Sequence, residues 1–196
     1  MSEITLDKNT ALVLIDLQKG IMALPVVTPA EQILDKGIRL ADAFRTAGLP
    51  VVLVKVAWSA DGGDLPTNRT DEPGLTAAPP AEFSAFPPEL ASGADDIVIT
   101  KRHWGAFTGT EIDLQLRRRG INRIVLAGIA TSIGVESTAR SAWEHSYDLV
   151  FAQDATTDMD AAAHTHTFTK IFPRLGQVGT TDDVLTALKS LKNLDN

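Results

Sequence analysis

Three stretches of this sequence place reactive or backbone-exposing residues directly after apolar runs. Leu12 to Ile15 lead into Asp16, Ile97 to Thr100 lead into Lys101, and Ile124 to Ala127 lead into the small-residue segment Gly128-Ile129-Ala130-Thr131-Ser132-Ile133-Gly134. A carboxyl group behind four aliphatic residues is poorly solvated, which raises its pKa, and a nearby ammonium lowers it again. Such a pair can act as acid and base towards a substrate. Small residues let the main chain approach a ligand, and amides at a helix N-terminus can receive developing negative charge. Plainer readings exist for all three: Asp16 as a cap or turn residue, Lys101 as a surface charge, the third segment as an ordinary strand-to-helix turn. Spacing alone leaves both sets open. The chain has no cysteine, so disulfides, thiolate metal sites and thiol nucleophiles are excluded.

The elements that must position these residues follow from periodicity. Continuous apolar runs at Leu12–Ile15, Val51–Val56, Ile97–Thr100, Ile124–Ala127 and Leu149–Ala152 read as strands buried on both faces, with a short sixth at Gly176–Val178. Thr28 as N-cap, Pro29 at the first helical position and Glu31 as capping-box acid start a helix. Its apolar positions Ile33, Leu34, Gly37, Ile38, Ala41 and Phe44 recur at helical spacing until Gly48. Further helices are expected over Thr110–Arg119, capped by Thr110, over Gly134–His145, Asp160–Phe172 and Thr181–Leu191. Strict alternation predicts a three-layer, Rossmann-like α/β fold, a six-stranded parallel sheet with helices on both faces. In such sheets the ligand crevice lies outside the carboxyl ends of the strands, where Asp16, Lys101 and the third segment all fall.

From Ser59 to Pro88 periodicity gives way to Gly62, Gly63, Pro66, Pro73, Gly74, Pro79, Pro80, Pro87 and Pro88. So long an excursion reads as a substrate-facing loop, with oligomer contacts as the alternative. A formal net charge of −7 repels phosphate backbones and anionic membranes, so neither nucleic acid nor membrane is an expected partner. No apolar stretch approaches the roughly 20 residues that span a bilayer and no signal peptide is read, so a cytoplasmic protein is expected.

Ala11 to Gln18, Lys101 to Thr110 and Ala127 to Ala139 resemble, in order and spacing, three blocks of the isochorismatase-like family, also called cysteine hydrolases. The likeness runs to Val178 and implies one hydrolase domain over 1–196. That family's triad is an aspartate, a lysine and a cysteine. The resemblance gives the first two roles to Asp16 and Lys101, and the cysteine position falls on Gly134. An acyl-enzyme route through that residue is therefore closed. The family's isochorismatases also carry glycine there and hydrolyse an enol ether without a covalent enzyme intermediate.

The same resemblance implies a cis peptide at Ile129-Ala130 and oxyanion donors at the Ala130 and Gly134 amides. Gln18 is a further candidate substrate contact, and Trp58, Trp104 and Phe107, beside the strand ends, are candidate pocket walls, with plain core as the alternative. It implies a homo-oligomer, dimer or tetramer, and no cofactor. No metal is implied, because the region after strand two holds Asp61 and Asp64 but none of the family's ligating histidines. Two departures set isochorismate aside as the expected substrate: Ala57-Trp58-Ser59-Ala60 replaces the threonine-alanine-glutamine-proline segment of those enzymes, and Gly105 replaces a serine. Arg69 and Arg102 alone are candidates to pair a dicarboxylate. The expected function is hydrolysis of a small molecule by direct water attack on an enol-ether or related C–O or C–N bond, Asp16 serving as general acid/base and Lys101 as its electrostatic partner. The alternative is a small-ligand-binding member that has lost its nucleophile.

Other polar residues carry less. Ser132, Ser137 and Thr138 are candidate substitute nucleophiles, but none has a histidine base placed by sequence, and capping accounts for them. His103 lies near Lys101 without an acidic partner at an informative spacing. His164 and His166 are two apart on a helix and share no face, and His145 and the run Arg117 to Arg119 suit helix C-termini.

Overall fold

The computed structural model describes residues 3–72, 74–90 and 93–193; Pro73 of the long loop lies outside them. In chain order the elements are β1 (Thr10–Ile15), α1 (Lys19–Met22), α2 (Ala30–Thr46), β2 (Val51–Val56), β3 (Ile97–Lys101), α3 (Ile112–Arg118), β4 (Arg123–Ile129), α4 (Glu136–Glu144), β5 (Asp148–Thr157), α5 (Ala161–His166), α6 (Phe172–Leu175), β6 (Gln177–Gly179) and α7 (Thr181–Asn193). All strand pairs are parallel, in the order β3-β2-β1-β4-β5-β6. The α/β sheet expected from the alternating pattern is thus present, and strand order reverses between β1 and β4, where such sheets open a crevice.

Every residue of β1 is buried, and its alternate side chains feed two cores. Leu12 and Leu14 pack with Ile33, Leu40 and Phe44 of α2 and with Val184 and Leu188 of α7. Ala11, Val13 and Ile15 join Ile112 and Leu116 of α3 with Ala139 and Ala142 of α4 on the other face. This double burial is why β1 reads as an unbroken apolar run rather than an alternating one.

Several boundaries differ from the sequence expectation. The N-cap of α2 is Pro29, without a side-chain cap, and the Thr28 amide instead donates to Thr157 Oγ1 at 3.0 Å. Tertiary pairing with the end of β5 displaces the capping box. The fifth strand runs to Thr157, with a register shift against β4 between Leu126 and Gly128. The helix expected over 160–172 opens into a wide π-type turn at Thr167–Ile171 before α6; Pro173 lacks the N–H that a regular helix needs there. The helix expected from Gly134 begins with a similar turn, Thr131–Val135, and becomes regular only at Glu136. Thr110 contributes by accepting from the Ile112 amide at 3.3 Å, although the capping position itself is Glu111. Within 59–88, one turn of 3-10 helix forms at Ala81–Ser84.

Gly128 shows why the third segment is rich in small residues. It has φ +127°, and a Cβ there would stand 2.1 Å from the Ile15 carbonyl oxygen. The close approach of β4 to β1 beside Asp16 therefore requires glycine. Gly48, at φ +70° after α2, faces open space. Gly128→Ala is expected to lower the unfolding free energy by more than about 3 kcal/mol, whereas Gly48→Ala costs about 1 kcal/mol for its left-handed backbone alone. Urea unfolding of the two variants checks this; equal losses would contradict the close approach.

Candidate active site

Asp16 follows the last residue of β1 and Lys101 is the last residue of β3, two strands away in the sheet. The lysine reaches across the end of β2 to place Nζ 2.7 Å from Asp16 Oδ2, with side chains only 2% and 6% exposed. The Asp16 backbone turns to φ 52°, a left-handed conformation that aspartate tolerates better than most residues, and its amide donates to the Val54 carbonyl at 2.9 Å. That turn ends the strand and directs the carboxylate over the strand ends.

The other carboxylate oxygen, Asp16 Oδ1, is buried with no hydrogen-bond partner among the described residues. Burial pushes the Asp16 carboxyl up to about 6, against the charge and hydrogen bond of Lys101, which pull it down. Desolvation wins because one oxygen alone is compensated. The group is thus poised to hold or release a proton near neutrality.

Gly134 lies against this pair. A Cβ at Gly134 would stand 3.3 Å from Asp16 Oδ2, 3.6 Å from Lys101 Nζ and 3.1 Å from Ile15 Cγ2. A side chain here would point straight at the ion pair. The Ile129-Ala130 peptide is cis. The Ala130 amide forms no main-chain hydrogen bond among the described residues, although the Ala130 carbonyl accepts from Ile133 and Val135. Asp16, Lys101 and Gly134, named from the sequence, therefore stand at one locus, and Ala130 opens the turn that leads to Gly134.

Three other candidates stand elsewhere or are already engaged. Gln18 is fully buried, and its Nε2 donates to the carbonyls of Val56 at 2.9 Å and Phe83 at 3.1 Å while its Oε1 accepts from the Val56 amide at 2.7 Å. It clamps β2 and the long loop to β1 and has no donor left for a substrate. Phe107 stacks on His145 at 5.4 Å and against Tyr147 at 5.7 Å. Those two residues lie between α4 and β5, at the amino end of β5, so Phe107 packs towards the end of the strands opposite Asp16 and Lys101. Trp104 is 66% exposed. As substrate contacts Gln18 and Phe107 are corrected: the sequence places them close to strand ends but cannot give their direction.

The long loop does approach the site. Phe83 covers Gly20 so closely that a Cβ there would meet its ring at 1.9 Å, and Ser84 Oγ donates to the Val56 carbonyl at 2.9 Å. Nearer β2, Trp58 Nε1 donates to the Arg102 carbonyl at 3.1 Å. Asp64 accepts from the Ser59 amide and pairs with Arg102 Nε at 2.6 Å. The Ser59 amide first, and Arg102 with it, hold the Asp64 carboxyl below its usual range. Arg102, a candidate partner for a dicarboxylate, is thus engaged within the loop.

Two contacts that hold the turn after β4 escaped the sequence reading. Thr131 Oγ1 and His164 Nδ1 are 2.7 Å apart, and Asp158 Oδ2 accepts from the Ser132 amide at 2.6 Å. Partners separated by 33 and 26 positions leave no spacing signal. Thr138, a candidate nucleophile, is spoken for: it donates to the Gly134 carbonyl at 2.7 Å and accepts from the Ala106 amide at 3.0 Å. Among the described residues no three acidic or histidine side chains cluster as metal ligands would, and no helix is long and apolar enough to cross a membrane.

An Isochorismatase domain model matches residues 10–183, spanning all of these positions. The chain belongs to the isochorismatase family. An uncharacterized isochorismatase family protein of Escherichia coli O157:H7, YecD, is 44% identical over 182 residues, 92% of this chain and 97% of that protein. A solved isochorismatase family protein from Burkholderia thailandensis superposes with a TM-score of 0.93 at 48% identity, covering 96% of this chain and all of the other. A ureidoacrylate amidohydrolase, RutB of Variovorax paradoxus, is 28% identical over 181 residues, 79% of this chain and 71% of that enzyme. The isochorismatase family thus includes hydrolases.

The perturbed carboxyl makes stability depend on pH with a defined sign. A folded-state value raised from 3.8 to about 6 means that the folded chain holds the proton more tightly than the unfolded one. The resulting stabilisation is complete below the lower value and is lost as pH rises through the upper one. Across that window the unfolding free energy of the wild type is expected to decline relative to Asp16→Asn, which lacks the titration. Urea titrations at several pH values measure the difference; parallel curves would place Asp16 in water.

Proposed function

We propose that this member of the isochorismatase family is a cysteine-independent hydrolase of a small molecule, using water directly. The observation that carries the proposal is the buried Asp16–Lys101 pair facing Gly134. Where a nucleophilic side chain would point at the pair, this chain has glycine, so the proposed route relies on water rather than on a covalent enzyme intermediate. Asp16 serves as general acid/base, and its raised pKa fits both halves of that role. Lys101 holds the carboxylate in place and offsets negative charge that develops beside it. The Ala130 amide, with no main-chain partner, supplies a donor for an oxyanion, and the Gly134 amide is the second.

For an enol ether the steps balance as follows. Protonated Asp16 gives its proton to the terminal alkene carbon, leaving an oxocarbenium ion. Water adds to that ion and returns a proton to Asp16, and the hemiketal breaks its C–O bond to give a ketone and an alcohol. An activated C–N bond can be hydrolysed with Asp16 as base instead, and the amidohydrolase among the relatives makes this the second substrate class to try.

Purified protein assayed on enol ethers, amides and esters is expected to turn over a member of the panel, with kcat/KM falling about 10²–10⁴-fold in Asp16→Asn. If the acid form is required, the rate falls above about pH 6; if the base form is required, it rises through that pH. Gly134→Ala sets a methyl group 3.3 Å from Asp16 Oδ2 and is expected to lower kcat about tenfold or more by taking the place of the reacting group. Turnover equal in wild type and Asp16→Asn would refute the proposal. Ligand-induced thermal stabilisation with no product would favour a non-catalytic binding protein, a reading prompted by the missing nucleophile at Gly134.

A further inference from the structure

The turn that carries the site's main-chain donors, Thr131–Val135, is tied to the segment after β5 at two points. The Ser132 amide donates to Asp158 Oδ2 at 2.6 Å, and the Thr131 hydroxyl meets His164 Nδ1 at 2.7 Å. Both ties are anchored on the far side. Asp158 is buried and its other oxygen accepts from the Asp160 amide at 3.2 Å. Asp160 in turn caps α5 through the Ala162 and Ala163 amides at 2.6 and 3.1 Å. The imidazole of His164 packs on the Phe168 ring at 4.9 Å, and Phe168 meets Phe172 edge-on at 4.9 Å within the core. The histidine is therefore held from behind while it holds Thr131 in front.

Thr131 is completely buried and directly follows Ala130. A buried hydroxyl has to satisfy its hydrogen bond inside the protein, and among the described residues His164 is its side-chain partner. Burial lowers the His164 pKa against the opposing charge of Asp158, favouring the neutral ring, whose Nδ1 accepts from the hydroxyl in one tautomer and donates to it in the other. A main-chain donor aimed at a developing oxyanion works only if its position is fixed before the reaction. The Ala130 amide has no main-chain hydrogen bond of its own to fix it. Its neighbours must.

We infer that His164 is a positioning residue for the hydrolytic site, fixing the Ala130–Gly134 turn through the buried Thr131 hydroxyl. The inference rests on the hydrolase reading for its kinetic consequence but not for its structural one. His164 neither donates a proton to the substrate nor contacts it. Removing either partner leaves the other without its hydrogen bond and frees the turn, so that the oxyanion donors lose their aim while the Asp16–Lys101 pair stays intact.

The test uses His164→Ala and Thr131→Val, which cut the tie, and His164→Asn and Thr131→Ser, which keep a group able to hydrogen-bond in its place. On whichever panel substrate is turned over, each disruptive variant is expected to lower kcat about tenfold with KM within about twofold. The double variant is expected to be no worse than either single one, and the conservative variants to restore most of the rate. Independently of any substrate, backbone amides of residues 131–135 are expected to exchange with deuterium about tenfold faster in the disruptive variants, while those of β1 and β4 do not change. Unchanged exchange would overturn the tie even if activity falls. A rise in KM at constant kcat, or additive losses in the double variant, would overturn the positioning role in favour of substrate contact or independent action. Faster exchange in a protein that turns over nothing would leave the tie standing and refute the hydrolase reading instead.

Discussion

The buried ion pair between Asp16 and Lys101 is the interaction on which the rest of this structure is arranged. Taking two charges out of water costs several kcal/mol apiece, and their attraction offsets this only with good geometry. Lys101 must therefore arrive from β3 at a fixed place over the end of β2, and Asp16 must leave β1 in a left-handed turn. Parallel pairing in register provides that: Val56 of β2 is opposite Lys101, and Ile15 of β1 is opposite Val54 and Gly128. The pair is thus a consequence of the sheet, and a constraint upon it.

Around the pair, main-chain groups do work that side chains do elsewhere. Gln18 uses its whole amide to join β1, β2 and the long loop. Gly128 lets β4 touch Ile15, and Gly134 lets the following turn touch Asp16. Thr138 fastens that turn to the segment after β3 through the Ala106 amide, and Asp158 with His164 fastens it to the segment after β5. The oxyanion turn is therefore held from two sides. Among the described residues Asp16 Oδ1 is left without a hydrogen-bond partner, and an unpaired buried carboxylate oxygen is the kind of local cost that functional sites retain.

This member of the isochorismatase family has no cysteine, and glycine stands where a Cβ would reach the ion pair. The site keeps the aspartate, the lysine and the cis peptide, yet presents glycine where a side chain would reach the pair. Solvation explains how both conditions are workable. A thiol needs a neighbouring base to become thiolate, whereas the proposed water route asks only for a group that exchanges protons near neutral pH, and burial raises the Asp16 carboxyl towards that range.

Sequence by itself determined the layered parallel fold, because strands buried on both faces must be continuously apolar and the intervening helices must be amphipathic. It also pointed to Asp16, Lys101 and Gly134 as neighbours, since each terminates or follows a strand and strand ends converge in such a sheet. Direction and distant pairing were decided only by tertiary structure. Gln18, Trp104 and Phe107 sit beside those same strand ends in the sequence, but one is consumed by backbone groups, one faces solvent and one packs at the far edge. The capping box at Thr28 yielded to a hydrogen bond with Thr157. Thr131 and His164 are 33 positions apart, joined by the approach of α5 to the turn after β4. Local periodicity records which residues are buried; it carries no record of which buried polar groups meet, because that depends on packing between elements far apart in the chain.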